Sequence, residues 1–297
     1  MGKDLADACP ECRRLFDAAS QALGYDLGKL CFEGPIEELT KSNHCQPAIF
    51  VASLACWRAL EAEVPGLAAA GMAGLSLGEW TALHAAGVLS FEDAVRILEA
   101  RGRFMQEACD RQKGGMLSVM GLPMDALRKI CEETGIEIAN LNSPEQTVLS
   151  GAVEGIARAE KLASERGAKR SLVLNVAGAF HSRLMAPAAE RLAETLAAVP
   201  FRAPAVPVVA NVTGRPHGSP DEIRQTMVRQ VTSPVQWVSC IEWFRAAGVR
   251  QYIECGPGKV LSGLIKRVDK EAATHTISDD PAVKKVAAAL RGGAAVA

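Results

Sequence analysis

The amino-acid sequence predicts an α/β protein with a mainly parallel, hydrolase-like sheet covered by helices on both faces, and a small inserted ferredoxin-like subdomain. Helices and strands alternate in the last third of the chain, from about residue 206, which is typical of a parallel sheet. Between the first helices and this region, the order changes to β-α-β-β-α-β, the ferredoxin-like pattern. We expect a large domain formed by residues 1–113 and 178–297, and a small domain formed by residues 114–177.

Three helices are predicted before the change of order. Residues 10–24 carry an apolar stripe at helical spacing. Pro47 suits the first position of a second helix. Ser90 and Asp93 form a capping-box pattern for a third helix that ends near Ala108.

The predicted subdomain follows, and α/β alternation then resumes. Its strands are expected at 116–120, 136–141, 147–149 and 171–176, and its helices at 123–134 and 153–166. Later strands are expected at 206–212, 251–254 and 274–278, with helices at 221–231 and 237–247. We expect these later strands to belong to the same parallel sheet of the large domain.

Composition excludes several classes of partner. The net charge of −1 and pI near 6.5 give no basic surface for nucleic acid or an anionic membrane. Charged residues interrupt the apolar regions, and residues 1–14 lack the apolar stretch of a secretory signal. The nine cysteines are an odd number scattered along the chain, which favours reduced thiols. We therefore expect a cytoplasmic protein, and we expect a monomer.

Cys9 and Cys12 have C-x-x-C spacing. A structural zinc site needs a second pair of ligands, and the chain has no second C-x-x-C motif. We expect no metal site.

The stretch 70–87, AGMAGLSLGEWTALHAAG, places Ser76 between Gly74 and Gly78. It matches G-x-S-x-G, the sharp strand-to-helix turn that presents a nucleophilic serine. Both glycines are expected because the turn leaves no room for a Cβ atom. The N–H group of Leu77 would then help to hold an oxyanion. The alternative is a tight turn with an idle serine.

A nucleophilic serine needs a base, and the chain has five histidines. His84 lies about two helical turns after Ser76 and is expected to pack in the core. His181 is predicted to end a strand and precede a helix, and the carboxyl ends of strands in an α/β sheet face the ligand crevice. His181 is therefore the best base available.

With these motifs the sequence resembles the malonyl-CoA:acyl carrier protein transacylases of fatty-acid synthesis. The resemblance runs from about residue 4 to residue 277 and depends on motifs in a fixed order. These are QPAIF at 46–50, GLSLGEW at 74–80, RGRFMQEA at 101–108, NSPEQTVLSG at 142–151, GAFHSRLM at 178–185, VANVTG at 209–214, SPVQW at 233–237 and GPGKVL at 256–261.

The resemblance implies a mechanism and its residues. Ser76 matches the nucleophile that takes the malonyl group from malonyl-CoA, and His181 matches the general base. Gln230 matches the residue whose main-chain carbonyl orients that histidine. Arg101 matches the arginine that binds the malonyl carboxylate. No cofactor or metal is implied, because the phosphopantetheine thiol belongs to the acyl carrier protein.

Two residues bear on the choice of acyl group. A guanidinium group binds a carboxylate through two hydrogen bonds, so Arg101 would reject acetyl-CoA, which leaves the buried cation without a partner. Phe180 would crowd the extra methyl group of methylmalonyl-CoA, although it could equally be a core aromatic. The segment ERGAKR at 165–170 could meet an acidic carrier protein, or could simply place cations at a helix C-terminus.

The sequence departs from the family pattern in two places. Leu75 stands where the family normally has a histidine before the serine. Family members also begin with an apolar strand and a Gly-Gln-Gly loop, whereas this sequence opens at MGKDLAD. The resemblance therefore implies that the chain lacks this strand and the loop glutamine, which supplies an oxyanion N–H group.

Two alternatives stay open. The elbow alone also suits a serine hydrolase or esterase, with Asp221 and His275 as further members of a triad. The absent loop also suits a catalytically impaired relative that binds the carrier protein.

Overall fold

The computed structural model describes residues 1–292, so residues 293–297 of the expected large domain lie outside the described residues. Within the described part, fourteen α-helices are formed, together with one short 3-10 helix at Arg183–Met185. The α-helices are α1 Lys3–Ala8, α2 Pro10–Leu23, α3 Leu27–Glu33, α4 Ile36–Leu39, α5 Ser42–Glu63, α6 Leu77–Ala85, α7 Phe91–Arg111, α8 Met124–Thr134, α9 Val153–Glu165, α10 Ala186–Ala197, α11 Pro220–Gln230, α12 Trp237–Ala246, α13 Val260–Val268 and α14 Asp280–Gly292.

Six strands are formed within the described residues. They are β1 Gly114–Met120, β2 Glu137–Ser143, β3 Gln146–Ala152, β4 Arg170–Val173, β5 Gln251–Cys255 and β6 Ala273–Ile277. The α/β class with a ferredoxin-like subdomain is confirmed. No helix of residues 1–292 is both long enough and apolar enough to cross a membrane.

The contacts between Cα atoms divide the chain into two compact units. The first unit contains Met1–Gly102, Pro204–Val208 and the segment from Ala247 onward, and the second contains Arg103–Ala203 and Val209–Ala246. These boundaries differ from those expected from the sequence, 1–113 with 178–297 and 114–177 by itself. That domain division stays a prediction.

The second unit contains the four-stranded ferredoxin-like sheet, in the order β2-β3-β1-β4. All its strand pairs are antiparallel, and β1 and β3 pair from Gly114↔Ala152 to Met120↔Gln146. Helices α8 and α9 pack on this sheet around buried aliphatic side chains, among them Leu117, Ile130 and Leu149. The predicted order β-α-β-β-α-β is confirmed.

The first unit contains a parallel pair, β5 and β6, in register from Gln251↔Ala273 to Cys255↔Ile277. Helices α5, α13 and α14 pack against this pair. Ahead of the Ser76 turn, Met72 forms one parallel bridge with Val208.

The strand predicted at 206–212 is wrong as a continuous strand, because only isolated bridges at Val208 and Val209 form there. Pro207 has no N–H group and cannot donate to a ladder; its carbonyl accepts from Met72 N at 2.8 Å.

Helix α5 begins at Ser42, so the expected start at Pro47 is also wrong. Pro47 lies inside the helix and is buried. This earlier start places residues 42–46 on the helix, which matters for the site described next.

Candidate active site

The turn at Ser76 joins the bridged segment at Met72 to helix α6. Ser76 is the N-cap of α6, with φ 53° and ψ −103°, and its side chain is half-buried. Positive φ is uncommon outside glycine, and strain of this kind collects at functional sites. The backbone therefore has the sharp turn that the G-x-S-x-G motif predicts.

The two glycines beside Ser76 differ in their surroundings. A Cβ atom at Gly74 would lie 2.6 Å from Glu79 N and closer still to the carbonyl group of Gly78. A Cβ atom at Gly78 would meet nothing within 4 Å. The expectation that crowding requires both glycines holds for Gly74 and is wrong for Gly78.

Leu77 is the first residue of α6. The N–H group at this position has no acceptor within its own helix, and the helix dipole adds partial positive charge there. The N–H group of Leu77 can therefore donate a hydrogen bond to an anion that forms near Ser76.

Arg101 lies on α7 and is 2% exposed. Its Nη2 atom donates to Ser76 Oγ at 3.0 Å, and its Nη1 atom donates to Gln46 Oε1 at 2.6 Å. Burial lowers the pKa of Arg101 to about 10, and the negative charge of Glu79 opposes that shift. The guanidinium group is therefore charged at neutral pH and is held against the serine hydroxyl.

Close packing of two helices aligns Gln46 with Arg101. A Cβ atom at Gly102 would lie 2.8 Å from Asn43 Cα and closer still to the carbonyl of Ser42. Glycine at 102 thus lets α7 approach the start of α5, where Gln46 lies. Gln46 and the fully buried Glu79 were not predicted from the sequence as site residues. Each is a polar residue within a motif, Gln46 in QPAIF and Glu79 in GLSLGEW, and that position was the available signal.

His181 lies in a turn of the second unit, with φ 56° and 4% exposure. In the described residues, His181 and Ser76 are the two non-glycine residues with positive φ. β4 ends at Val173, so the expected strand end at His181 is wrong; residues 174–180 intervene. Their close packing includes Gly178, where a Cβ atom would lie 3.0 Å from Cys109 Cβ and closer to its sulfur.

The Nδ1 atom of His181 lies 2.9 Å from the main-chain oxygen of Gln230. Gln230 is the last residue of α11, and the final carbonyl groups of a helix have no donor within the helix. A carbonyl oxygen only accepts, so Nδ1 carries the proton and Nε2 is left as the basic nitrogen. This arrangement can take up a proton at Nε2.

Phe180 is half-buried and packs against Met116, Ala139 and Val148 of the ferredoxin-like sheet. This contact suits a core aromatic, and the expected role of Phe180 in acyl-group choice stays a prediction.

The residues suggested for a hydrolase triad have other partners. Asp221 forms an ion pair with Arg224 at 2.6 Å, and His275 on β6 hydrogen-bonds Gln251 at 2.9 Å. His84 packs against Phe50 and Phe91, in agreement with its expected core position. In the ERGAKR segment, Arg166 hydrogen-bonds both carboxylate oxygens of Glu133.

Comparison with known proteins decides the family. A family model described as the acyl transferase domain matches residues 1–289. The chain belongs to the acyl transferase family. It is 44% identical to the malonyl CoA-acyl carrier protein transacylase of Escherichia coli K12, over 94% of this chain and 92% of that protein. The corresponding Bacillus subtilis 168 protein is 42% identical, over 96% of this chain and 90% of its own length.

Solved structures agree with the family assignment of this acyltransferase. An acyl carrier protein S-malonyltransferase from Vibrio cholerae superposes with a TM-score of 0.93 at 40% identity, over 96% of this chain and 94% of that one. A type II PKS acyl-carrier protein in complex with its malonyl-transacylase gives a TM-score of 0.93 at 40% identity, over 97% and 94% of the two chains.

Proposed function

We propose that this acyltransferase moves a malonyl group from malonyl-CoA to the phosphopantetheine thiol of an acyl carrier protein, through a malonyl-serine intermediate, in fatty-acid biosynthesis. The observation that carries the proposal is the contact of the buried Arg101 guanidinium with the Ser76 hydroxyl. A fixed cation beside a nucleophile suits an acyl group that ends in a carboxylate. The family assignment and the malonyl-transferring relatives support the same substrate.

Ser76 is the proposed nucleophile. Its Oγ attacks the thioester carbonyl of malonyl-CoA and gives its proton to Nε2 of His181. The oxyanion accepts a hydrogen bond from the N–H group of Leu77, which lies at the N-terminus of α6. The C–S bond then breaks, and the imidazolium returns the proton to the leaving CoA thiolate.

His181 is the proposed general base of both halves of the reaction. In the second half it takes the proton of the carrier's thiol, whose sulfur attacks the malonyl-serine ester, and it returns that proton to the Ser76 oxygen. The contact between Nδ1 and the carbonyl oxygen of Gln230 supports this role, because it fixes the tautomer without a carboxylate.

Arg101 is the proposed partner of the malonyl carboxylate. The guanidinium group donates one hydrogen bond to Ser76 Oγ and another to Gln46 Oε1, which fixes its orientation. A bidentate contact with the carboxylate would favour malonyl-CoA over acetyl-CoA. We retain Phe180 as the side chain that limits larger acyl groups.

The transfer needs no metal or cofactor in this proposal, because the thioester is already activated and the protein supplies nucleophile, base and cation. We place it in the cytoplasm, which the odd number and scattered positions of its nine cysteines support.

Intact-mass spectrometry of the chain incubated with malonyl-CoA tests the proposal. The wild-type chain should gain one malonyl group, and Ser76→Ala should gain none, with transfer to the carrier falling by at least about 10⁴-fold. Ser90→Ala is the matched control, because Ser90 caps α7 on the surface and its loss should leave the adduct intact.

Other outcomes of the same experiment separate the alternatives. Release of free malonate without transfer would identify a hydrolase. Binding of the carrier without any adduct would identify an impaired relative. Transfer that survives in Ser76→Ala would overturn the proposal.

A further inference from the structure

The residue that follows the proposed base is a fully buried serine. Ser182 is 0% exposed and is the N-cap of the short 3-10 helix Arg183–Met185. The transfer proposed above gives its hydroxyl group no task. Buried hydroxyl groups are normally hydrogen-bonded, so the partners of this one show what it holds in place.

The hydroxyl group of Ser182 joins the two ends of the turn that contains His181. Its Oγ atom donates to the main-chain oxygen of Ala179 at 2.7 Å and accepts from the main-chain N–H group of Leu184 at 3.3 Å. Ala179 is buried as well. The two bonds connect a residue before His181 to a residue after it, so they close the backbone around His181 into a small loop.

The backbone of His181 needs support of this kind. Its φ of 56° lies in the left-handed region, where a residue with a Cβ atom stays only if the surrounding structure fixes it. The main-chain oxygen of Ser182 also accepts from Met185 N at 3.0 Å, which holds the far side of the turn. Loss of the Ser182 hydroxyl would remove the donor to Ala179 and let the backbone at His181 relax.

A second anchor holds the same turn from the solvent side. Arg183 donates from its main-chain N and its Nη1 to the carboxylate of Glu137 at 2.7 and 3.2 Å, and from Nη2 to the main-chain oxygen of Gly135 at 2.8 Å. The side chains of Arg183 and Glu137 are 63% and 33% exposed, so water weakens their attraction. The enclosed hydrogen bonds of Ser182 are not weakened in this way, which makes Ser182 the stronger anchor.

The backbone of His181 decides how its ring meets Gln230. Nδ1 of His181 lies 2.9 Å from the main-chain oxygen of Gln230, which is the last residue of α11. An N–H···O hydrogen bond weakens steeply when its length or angle leaves a narrow range. Because the acceptor is fixed by its helix, a shift of the His181 backbone loosens this bond.

We propose that Ser182 is a positioning residue for the general base, an inference that rests on the proposed function for its catalytic meaning. The Ser182 hydroxyl holds the His181 backbone where Nδ1–H meets the carbonyl oxygen of Gln230. Nε2 then carries the free electron pair that the transfer uses. Without the hydroxyl, the ring is free to take the other tautomer, in which Nε2 carries the proton and cannot accept one.

The contacts of Ser182 do not suit a second nucleophile. A nucleophilic serine gives its proton to a base and presents its oxygen to the acyl group. The Oγ atom of Ser182 is enclosed and donates to a main-chain oxygen, which is not a base. Ser182 therefore supports the turn and does not attack the substrate.

Nitrogen NMR of the full chain, labelled with ¹⁵N in its five histidines, tests the proposal. The spectra are recorded without any acyl donor, in alkaline buffer where the imidazole ring is neutral. The signals of His181 are assigned by their absence from His181→Gln. We expect one tautomer in the wild-type chain, with the proton on Nδ1, and a mixture of both tautomers in Ser182→Ala.

Ser182→Cys separates the hydrogen bond from the packing. A thiol group fills the space of the hydroxyl but is a weaker donor. The variant should therefore give a tautomer mixture between those of the wild-type chain and Ser182→Ala, whereas a role in packing alone would leave it like the wild type. It also keeps the test decisive if Ser182→Ala does not fold.

Transfer kinetics give a second readout. Loss of one buried hydrogen bond should lower kcat about tenfold in Ser182→Ala and leave KM for malonyl-CoA within about twofold, since the enclosed hydroxyl does not reach the substrate. Ser20→Ala is the matched control, because Ser20 Oγ also donates to a main-chain oxygen, that of Phe16 at 2.8 Å, and accepts from a main-chain N–H group, that of Leu27 at 3.0 Å. It should unfold at a lower temperature but keep the wild-type kcat and His181 tautomer.

Two results would overturn the proposal. The first is a wild-type tautomer or a wild-type kcat in Ser182→Ala. The second is a wild-type tautomer in Ser182→Cys beside a mixture in Ser182→Ala, which would assign the effect to packing. The tautomers are measured without substrate, so they still report on Ser182 if Ser76→Ala retains transfer and the proposed function fails. A malonyl adduct on the wild-type chain together with an unchanged Ser182→Ala rejects this inference alone.

Discussion

Ser76 and His181 share an unusual backbone conformation but differ in what holds their reacting atoms. The hydroxyl of Ser76 contacts a side chain, Arg101, which is itself held by the side chain of Gln46. The imidazole of His181 contacts the main-chain carbonyl of Gln230. A substitution can remove a side-chain hydrogen-bond partner, but the substituted residue still has its main-chain carbonyl group. The surroundings of Ser76 should therefore be more sensitive to substitution than the contact between His181 and Gln230.

The strained conformation itself also has different supports in the two regions. Positive φ at a non-glycine residue costs about 1–3 kcal/mol and persists only where packing fixes it. Beside Ser76, Gly74 packs closely against the main chain at the start of α6. Ahead of His181, Gly178 packs closely against the side chain of Cys109. The first contact joins backbone to backbone, and the second joins backbone to a side chain that can move.

The largest effect in this comparison should come from Gly74→Ala. Its Cβ atom would meet the main chain of Gly78 and Glu79, which cannot move without changing the Ser76 turn. We expect a loss of about 3 kcal/mol in the free energy of unfolding and no detectable malonyl adduct. Thermal unfolding and intact-mass spectrometry measure the two effects.

Gly78→Ala is the matched control for that change. It places its Cβ atom in open space on helix α6, where alanine is favoured over glycine by up to about 1 kcal/mol. Unfolding at an unchanged or higher temperature is expected. Equal losses in the two variants would show that crowding at Gly74 does not hold the turn.

The next largest effect should come from Arg101→Ala. Removal of a buried charged partner costs about 2–5 kcal/mol, so kcat/KM for malonyl-CoA should fall about 30-fold or more, and acetyl-CoA should become the better donor of the two. Steady-state transfer with both donors measures this selectivity. Arg103→Ala, two residues along α7 and paired with Glu107 at 3.7 Å, should retain the malonyl preference. Unchanged preference in Arg101→Ala would remove the proposed carboxylate contact.

The sequence allowed the ferredoxin-like subdomain to be predicted because its periods are local. Strand β1 was expected at 116–120 and forms at Gly114–Met120, and helix α8 was expected at 123–134 and forms at Met124–Thr134. The strand expected at 206–212 does not form as a continuous strand, because Pro207 has no N–H group to donate to a strand ladder. An apolar run alone does not reveal this effect. Local sequence patterns do not show which strands, far apart in sequence, pair with each other.

The candidate site was predictable in part for the same reason. G-x-S-x-G is a local pattern, and it located Ser76 and the first residue of α6 correctly on a sharp turn. The partner of Arg101 was missed because Gln46 lies 55 residues away in sequence and meets it through helix packing at Gly102. The conformation of His181 was also missed, since no residue pattern marks a histidine with positive φ.

A smaller effect is expected when the support of Arg101 is changed. Gln46→Leu removes the acceptor of Nη1, and a hydrogen bond to a charged group contributes about 1.5–3 kcal/mol, so KM for malonyl-CoA should rise about tenfold or more. Gln46→Glu supplies a competing carboxylate and should lower the malonyl preference while transfer of acetyl groups is retained. Kinetics with both donors measure the difference. Equal malonyl preference in all three proteins would show that Gln46 does not position the guanidinium.

The smallest effect should come from Gln230→Ala, because the contact with His181 uses the main-chain oxygen and alanine retains it. We expect kcat to stay within about threefold of the wild-type value with an unchanged pH profile, whereas His181→Ala should lose about 10⁴-fold or more. Transfer rates across the neutral pH range measure both. A loss in Gln230→Ala that equals the loss in His181→Ala would mean that the buried side chain of Gln230, and not its carbonyl, orients the base. The contrast between the two regions would then disappear, since both would depend on a glutamine side chain.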